Sequence, residues 1–136
     1  MQADDIRDIL QHHRTVAVVG LSPKSHRDSY EVAEYMQRQG WRIIPVNPAA
    51  QVPEILGEKV YPSLIEAAKA EQIDLVDVFR RSEDVPPVAD EAIQIGAKGL
   101  WLQLGIEHAA SAGKARAAGL KVVQNKCLLV EHRRNA

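Results

Sequence analysis

The sequence predicts an α/β fold: a doubly wound, mainly parallel sheet of five to six strands, in a single domain over residues 1–136. Three observations carry this. Apolar runs such as Val16-Ala17-Val18-Val19 are continuous rather than alternating, as in strands covered on both faces. Segments of helical periodicity separate these runs. A rhythm of helix, glycine, then apolar strand recurs at Gly40, Gly96 and Gly119.

The elements follow in order. Ile6, Ile9 and Leu10 recur at helical spacing, which predicts a short helix over about residues 3–13. Thr15 to Gly20 is the first strand, and a polar loop runs from Leu21 to Asp28. Ser29 is placed to cap a helix that continues to about Gln39. Arg42 to Val46 is the second strand, with Pro45 near its end because proline cannot donate to a ladder. Residues 47–58 read as loop, and Lys59-Val60-Tyr61 as a short third strand. Ser63 and Glu66 form a capping box for a helix to about residue 71. Asp74 to Phe79 is the fourth strand. Pro86 and Pro87 fit only the first turn of the next helix, which runs to Ile95. Gly99 to Gln103, a helix over 107–118, Lys121 to Val123 and a last short helix over 126–134 complete the chain. Right-handed crossovers are expected throughout.

Bulk properties restrict function. The net charge is −1, so no global field favours nucleic acid or an acidic membrane, and any anion site must be local. Cys127 is the single cysteine, which rules out an internal disulfide and suits a reducing, cytoplasmic setting. The polar, acidic start has no signal-peptide core, and no apolar run is long enough to span a bilayer. The five histidines show no spacing that pairs two metal ligands. His108 and His132 read as exposed helical residues, and Asp74 and Asp77 as strand residues in polar surroundings near the sheet end. Trp41 and Trp101 read as core, or as contacts to a second copy or a partner protein.

In such sheets ligands bind beyond the carboxyl ends of the strands, where the strand order reverses. After the first strand comes Gly20-Leu21-Ser22-Pro23-Lys24-Ser25-His26-Arg27. Gly20 permits a sharp turn, the following helix offers free N–H groups, and Lys24 and Arg27 add charge beside serine hydroxyls. This suits a diphosphate, although a plain polar loop reads the same way. The loop lacks the further glycines of a dinucleotide fingerprint. The second tip, Asn47-Pro48, lacks the carboxylate that NAD enzymes place against a ribose, and it also reads as a simple turn. At the fourth tip, Arg80 and Arg81 can pair with phosphates, or with Glu83, Asp84 or Glu91, and Phe79 can pack on a base or a pantetheine arm.

Four segments together resemble a known family. They are Val18-Val19-Gly20-Leu21-Ser22-Pro23-Lys24, Ile44-Pro45-Val46-Asn47-Pro48, Val78-Phe79-Arg80-Arg81-Ser82-Glu83 and Leu100-Trp101-Leu102-Gln103-Leu104-Gly105. In order, they resemble the small bacterial and archaeal CoA-binding proteins, which are similar to the N-terminal domain of the succinyl-CoA synthetase alpha subunit. The likeness spans about residues 6–133. It implies a Rossmann-like domain that binds coenzyme A, free or acylated, without catalysis of its own. Ser22 to Ser25 would meet the phosphates, with Gly20, Leu21 and Arg27 alongside. Asn47 and Pro48 would lie near the adenosine end, and Phe79 to Ser82 with Gln103 to Gly105 would line the rest.

There are two departures from the synthetase. Its CoA-holding lysine after the second strand is replaced here by Pro48-Ala49-Ala50-Gln51, so Lys24, Arg27, Arg80 or Arg81 must supply the charge. The domain carrying its phosphorylated histidine has no counterpart in these residues, so ligase chemistry is not expected. Two other readings stay open: an NAD(P)-dependent oxidoreductase, and an interaction protein with a vestigial crevice.

Overall fold

The computed structural model describes residues 2–135. It begins with α1 (Gln2–His12), β1 (Thr15–Val19), α2 (Asp28–Arg38) and β2 (Arg42–Val46). Then come β3 (Glu54–Ile55), β4 (Glu58–Lys59), α3 (Leu64–Ala70), β5 (Leu75–Val78) and α4 (Val85–Gln94), with a 3-10 turn at Ser82–Asp84. The chain closes with β6 (Gly99–Leu102), α5 (Ala109–Ala117), β7 (Lys121–Val123) and α6 (Leu128–Arg134). Five strands pair in parallel in the order β2-β1-β5-β6-β7. The chain adds β2 on one side of β1 and β5 on the other, so the order reverses at β1 and β5.

Strand side chains alternate between two helical layers. Val16, Val18, Ile43, Leu75, Trp101 and Val123 pack with Ile9 of α1, Met36 of α2 and Leu128 of α6. Ala17, Val19, Ile44, Val76, Leu100 and Val122 face α3, α4 and α5. That second layer is built largely from alanine: Ala67, Ala89, Ala92, Ala112 and Ala115 are all buried there. Gly40, Gly96 and Gly119 follow α2, α4 and α5 with φ of +90°, +74° and +96°. The predicted α/β order and the doubly wound sheet are therefore present.

The segment between β2 and α3 departs from expectation. The predicted third strand at 59–61 adds no strand to the main sheet. Lys59 belongs to β4, which pairs antiparallel with β3 in a small separate hairpin. Only Tyr61 reaches the sheet, through one parallel bridge to Val46. The hairpin turns on Leu56 and Gly57, both at positive φ. Such turns usually carry Asn-Gly or Asp-Gly, and Leu-Gly does not announce one. The Gln37 side-chain amide donates to the Leu56 carbonyl at 2.9 Å and pins the turn to α2.

Two further expectations fail. Asp77 does not sit in polar surroundings. It is fully buried on the central strand between Val18 and Trp101, and neither carboxylate oxygen has a hydrogen-bond partner among the described residues. Burial raises its pKa well above the usual 3.8. His132 is half-buried rather than exposed. Its Nδ1 lies 2.8 Å from the Tyr35 hydroxyl, and its pKa is lowered by desolvation and then by Arg14. His108 is also half-buried, and its Nδ1 caps α5 by accepting from the Ser111 N–H at 3.2 Å.

Candidate strand-tip site

Gly20 and Phe79 meet where the strand order reverses. The Gly20 N–H donates to Val46 and the Phe79 N–H to Val19, so the three tips of β2, β1 and β5 are tied together. A Cβ on Gly20 would lie 2.4 Å from the Phe79 carbonyl oxygen, and its φ is +91°. Both facts exclude any other residue without local movement.

Beyond Gly20 the chain forms an open groove of about 820 Å³, lined in part by Ser22, Pro23, Lys24, His26, Arg27 and Phe79. Ser29 lies at its wall but does not cap α2 as the sequence suggested. It is buried, and its hydroxyl accepts from the Ser22 N–H at 3.0 Å. The helix starts two residues earlier, with Arg27 at the N-cap position and no side-chain cap. Its first-turn donors thus face the groove without a protein acceptor from a cap. Lys24, His26 and Arg27 are exposed around that end, with the Asp28 carboxylate opposing them.

The remaining predicted residues divide. Leu21 is wholly buried and offers the site only its carbonyl, which accepts from the Asn47 amide at 2.9 Å. Asn47 also accepts from the Ala49 N–H at 3.0 Å, so its side chain holds two loops in register, as a turn residue would. Ser25 is exposed and lies off the groove wall. The two arginines part company. Arg81 turns outward and pairs with Asp84 at 3.1 Å and Glu83 at 3.8 Å; the Asp84 contact, then its charge and that of Glu83, raise its pKa. Arg80 turns inward and makes no ion pair among the described residues; its guanidinium lies 3.4 Å from where a Gly20 Cβ would be. Ser82 and Gly105 brace neighbouring loops: the Ser82 hydroxyl accepts from the Glu107 N–H, and the Gly105 N–H donates to Asn125.

Two smaller cavities flank the groove. One, of about 330 Å³, opens between α3 and α4, with Pro48, Leu64, Arg80, Pro87 and Val88 among its walls. The other, of about 360 Å³, opens between α2 and α6 and shares Asp28 and Phe79 with the central groove. Sequence reasoning missed most residues of both cavities, because each is assembled from helix ends distant along the chain. Of their walls, Val19, Val46, Pro48, Phe79, Arg80, Gln103 and Leu104 lay in the four motif segments. Among the described residues no group of three or more His, Cys, Asp or Glu gathers to hold a metal ion. No helix among them is long and apolar enough to cross a membrane.

A parallel sheet with a glycine turn, an uncapped helix start and loose cations at its reversal point defines a Rossmann-like protein whose crevice suits a phosphorylated ligand. The chain belongs to the CoA binding domain family, whose model matches residues 14–133. The Bacillus subtilis (strain 168) protein YneT, itself uncharacterized, is 40% identical over 128 residues, which is 94% of this chain and 92% of that one. A solved Thermus thermophilus structure, cell-free ID.343, is 34% identical with a TM-score of 0.91 over the whole of both chains. A hypothetical protein from Pyrococcus horikoshii OT3 is 36% identical with a TM-score of 0.89, covering 98% of this chain and 91% of that one.

Proposed function

We propose that this chain is a single-domain module that binds coenzyme A across the strand tips and catalyses no reaction of its own. The observation that carries the reading is the uncapped start of α2 at the wall of a groove that also holds Lys24, His26 and Arg27. Backbone donors and mobile cations together satisfy a diphosphate, whose charge the helix dipole also favours. Family membership supports the nucleotide's identity.

In this pose the diphosphate lies against Ser22, Lys24, His26 and Arg27. The adenosine end enters the cavity beside Pro48 and Val88, and Arg80, at the saddle between the two compartments, supplies the charge that a lysine after β2 would otherwise bring. The pantetheine arm passes Phe79 toward Gln103 and Gly105. Arg81 and Ser82 hold loops rather than ligand. The lone Cys127 is free, which suits a reducing cytoplasm.

Calorimetric titration of the full chain with CoA, NAD and NADP at fixed salt tests this. CoA binding that weakens in Arg80→Ala supports the reading. No CoA binding, or a preference for NADP, overturns it in favour of a dinucleotide site.

A further inference from the structure

The cavity between α2 and α6 is unlike the phosphate groove beside it. Its walls are largely apolar: Val32, Phe79, Leu104, Ile106, Leu129 and Val130 all contribute. Leu104 is 71% exposed and Val130 39%, two of the three large apolar side chains left open among the described residues. Both stand on this one cavity, so an apolar surface lies unfilled next to the proposed ligand path.

One buried polar side chain is built into that surface, which also includes the exposed Asp28, Glu31 and Arg133. Gln103 is 4% exposed, and its Oε1 accepts from the Leu128 N–H at 3.2 Å. A backbone donor must face the amide's oxygen, so the amide nitrogen is forced the other way. That nitrogen donates to no protein group among the described residues, and Gln103 lines the cavity. Among the described residues only the Asp77 oxygens are wholly buried without a partner, so this nitrogen opens onto the cavity, free to donate to an incoming acceptor. Gln103 follows Leu102 at the tip of β6 and Phe79 follows Val78 at the tip of β5, and those two strand residues are register partners. The donor therefore stands beside the aromatic ring that separates the phosphate groove from the apolar cavity.

We infer that this cavity is an acyl pocket: the protein takes acyl-CoA thioesters with a short apolar chain in preference to free CoA. The inference rests on the CoA reading above. The Gln103 amide nitrogen donates to the thioester carbonyl, and the chain runs on between α2 and α6 over Ile106, Leu129 and Val130. Continuity with the phosphate groove, through Asp28 and Phe79, argues for a tethered acyl group rather than a separate apolar molecule.

The test is calorimetry on the full chain with CoA, acetyl-CoA, butyryl-CoA and hexanoyl-CoA. Each buried methylene is expected to raise affinity by about fourfold until the cavity is full. In a Leu104→Ser, Val130→Ser variant, changed only at exposed positions, the dependence on chain length should flatten. Gln103→Leu should weaken the acyl-CoA esters more than CoA. Binding of CoA with equal or falling affinity for longer esters overturns this inference and leaves the CoA reading standing. Failure of CoA and all its esters to bind overturns both.

Discussion

Asp77 gives the sharpest test of the structure. It sits on the middle strand of the sheet with both oxygens unpartnered, and burial lifts its pKa well above 3.8. In the unfolded chain the carboxyl ionises near 3.8, and in the folded chain it stays protonated to a higher pH. The unfolded state therefore releases a proton first, and rising pH favours unfolding. The contribution of Asp77 to stability is complete below pH 3.8 and is lost as pH climbs to the folded pKa. Across that window the loss is about 1.4 kcal/mol per pH unit, against a total of roughly 5–15 kcal/mol for a typical domain. Asp77→Asn keeps the size and removes the titration. Urea denaturation of both proteins at pH 4, 5, 6 and 7 should show the variant gaining on the parent by that slope. The slope should vanish at the pH where folded Asp77 ionises. A stability difference that does not change with pH would mean that folded Asp77 is ionised near its ordinary value, and would refute the buried, unpartnered site.

Gly20→Ala puts a methyl against the Phe79 carbonyl at an unfavourable φ; a loss of about 2 kcal/mol or more is expected from urea midpoints, together with weaker CoA binding. Arg80→Ala should weaken CoA binding by roughly 10-fold or more, as for a lost charged hydrogen bond, whereas Arg81→Ala should change calorimetric affinity by less than about twofold, since exposed ion pairs contribute little. His132 should titrate below 6.5 in an NMR pH series, because desolvation and Arg14 disfavour its charge. Its contribution to stability is present above pH 6.5 and lost as pH falls through the folded value. Replacing Tyr35 by Phe should alter that titration, since its hydroxyl meets Nδ1.

Elements whose local chemistry agreed with their tertiary setting were legible. Val16 to Val19 is apolar because helices cover both of its faces, and Pro86 and Pro87 fit the first turn of α4. Ser63 accepts from the Glu66 N–H, which is half of the predicted capping box; the Glu66 carboxylate pairs with Lys69 instead of closing it. Ser29 was misread because two donors competed for one hydroxyl, and the Ser22 N–H won through a contact seven residues away. The β3–β4 hairpin was missed because Gln37 stabilises a turn that Leu56 alone would not favour. Within the site, Gly20 and the basic loop were readable from one segment. The fates of Arg80 and Arg81 were not, because identical side chains on adjacent residues diverge only once Asp84 is in place. Asp77 offered no warning, since an aspartate in an apolar run looks the same at an edge as at the centre.

The unequal composition of the two helical layers makes the core vulnerable in opposite ways. Beneath α3, α4 and α5 the sheet meets mainly methyl groups, so small side chains fill most of that interface. Substituting larger residues there forces backbone displacement. Beneath α1, α2 and α6 the space is filled by Ile9, Met36, Trp101 and Leu128, where truncation opens voids. The cavity-lining parts of α2 and α6 stand on this bulkier layer. Their spacing is therefore set by long side chains that can repack, whereas the wall formed by α3 and α4 rests largely on alanines, which have no rotamers to change. Variation in ligand size among relatives should consequently be accommodated at α2 and α6, with the opposite wall keeping its dimensions.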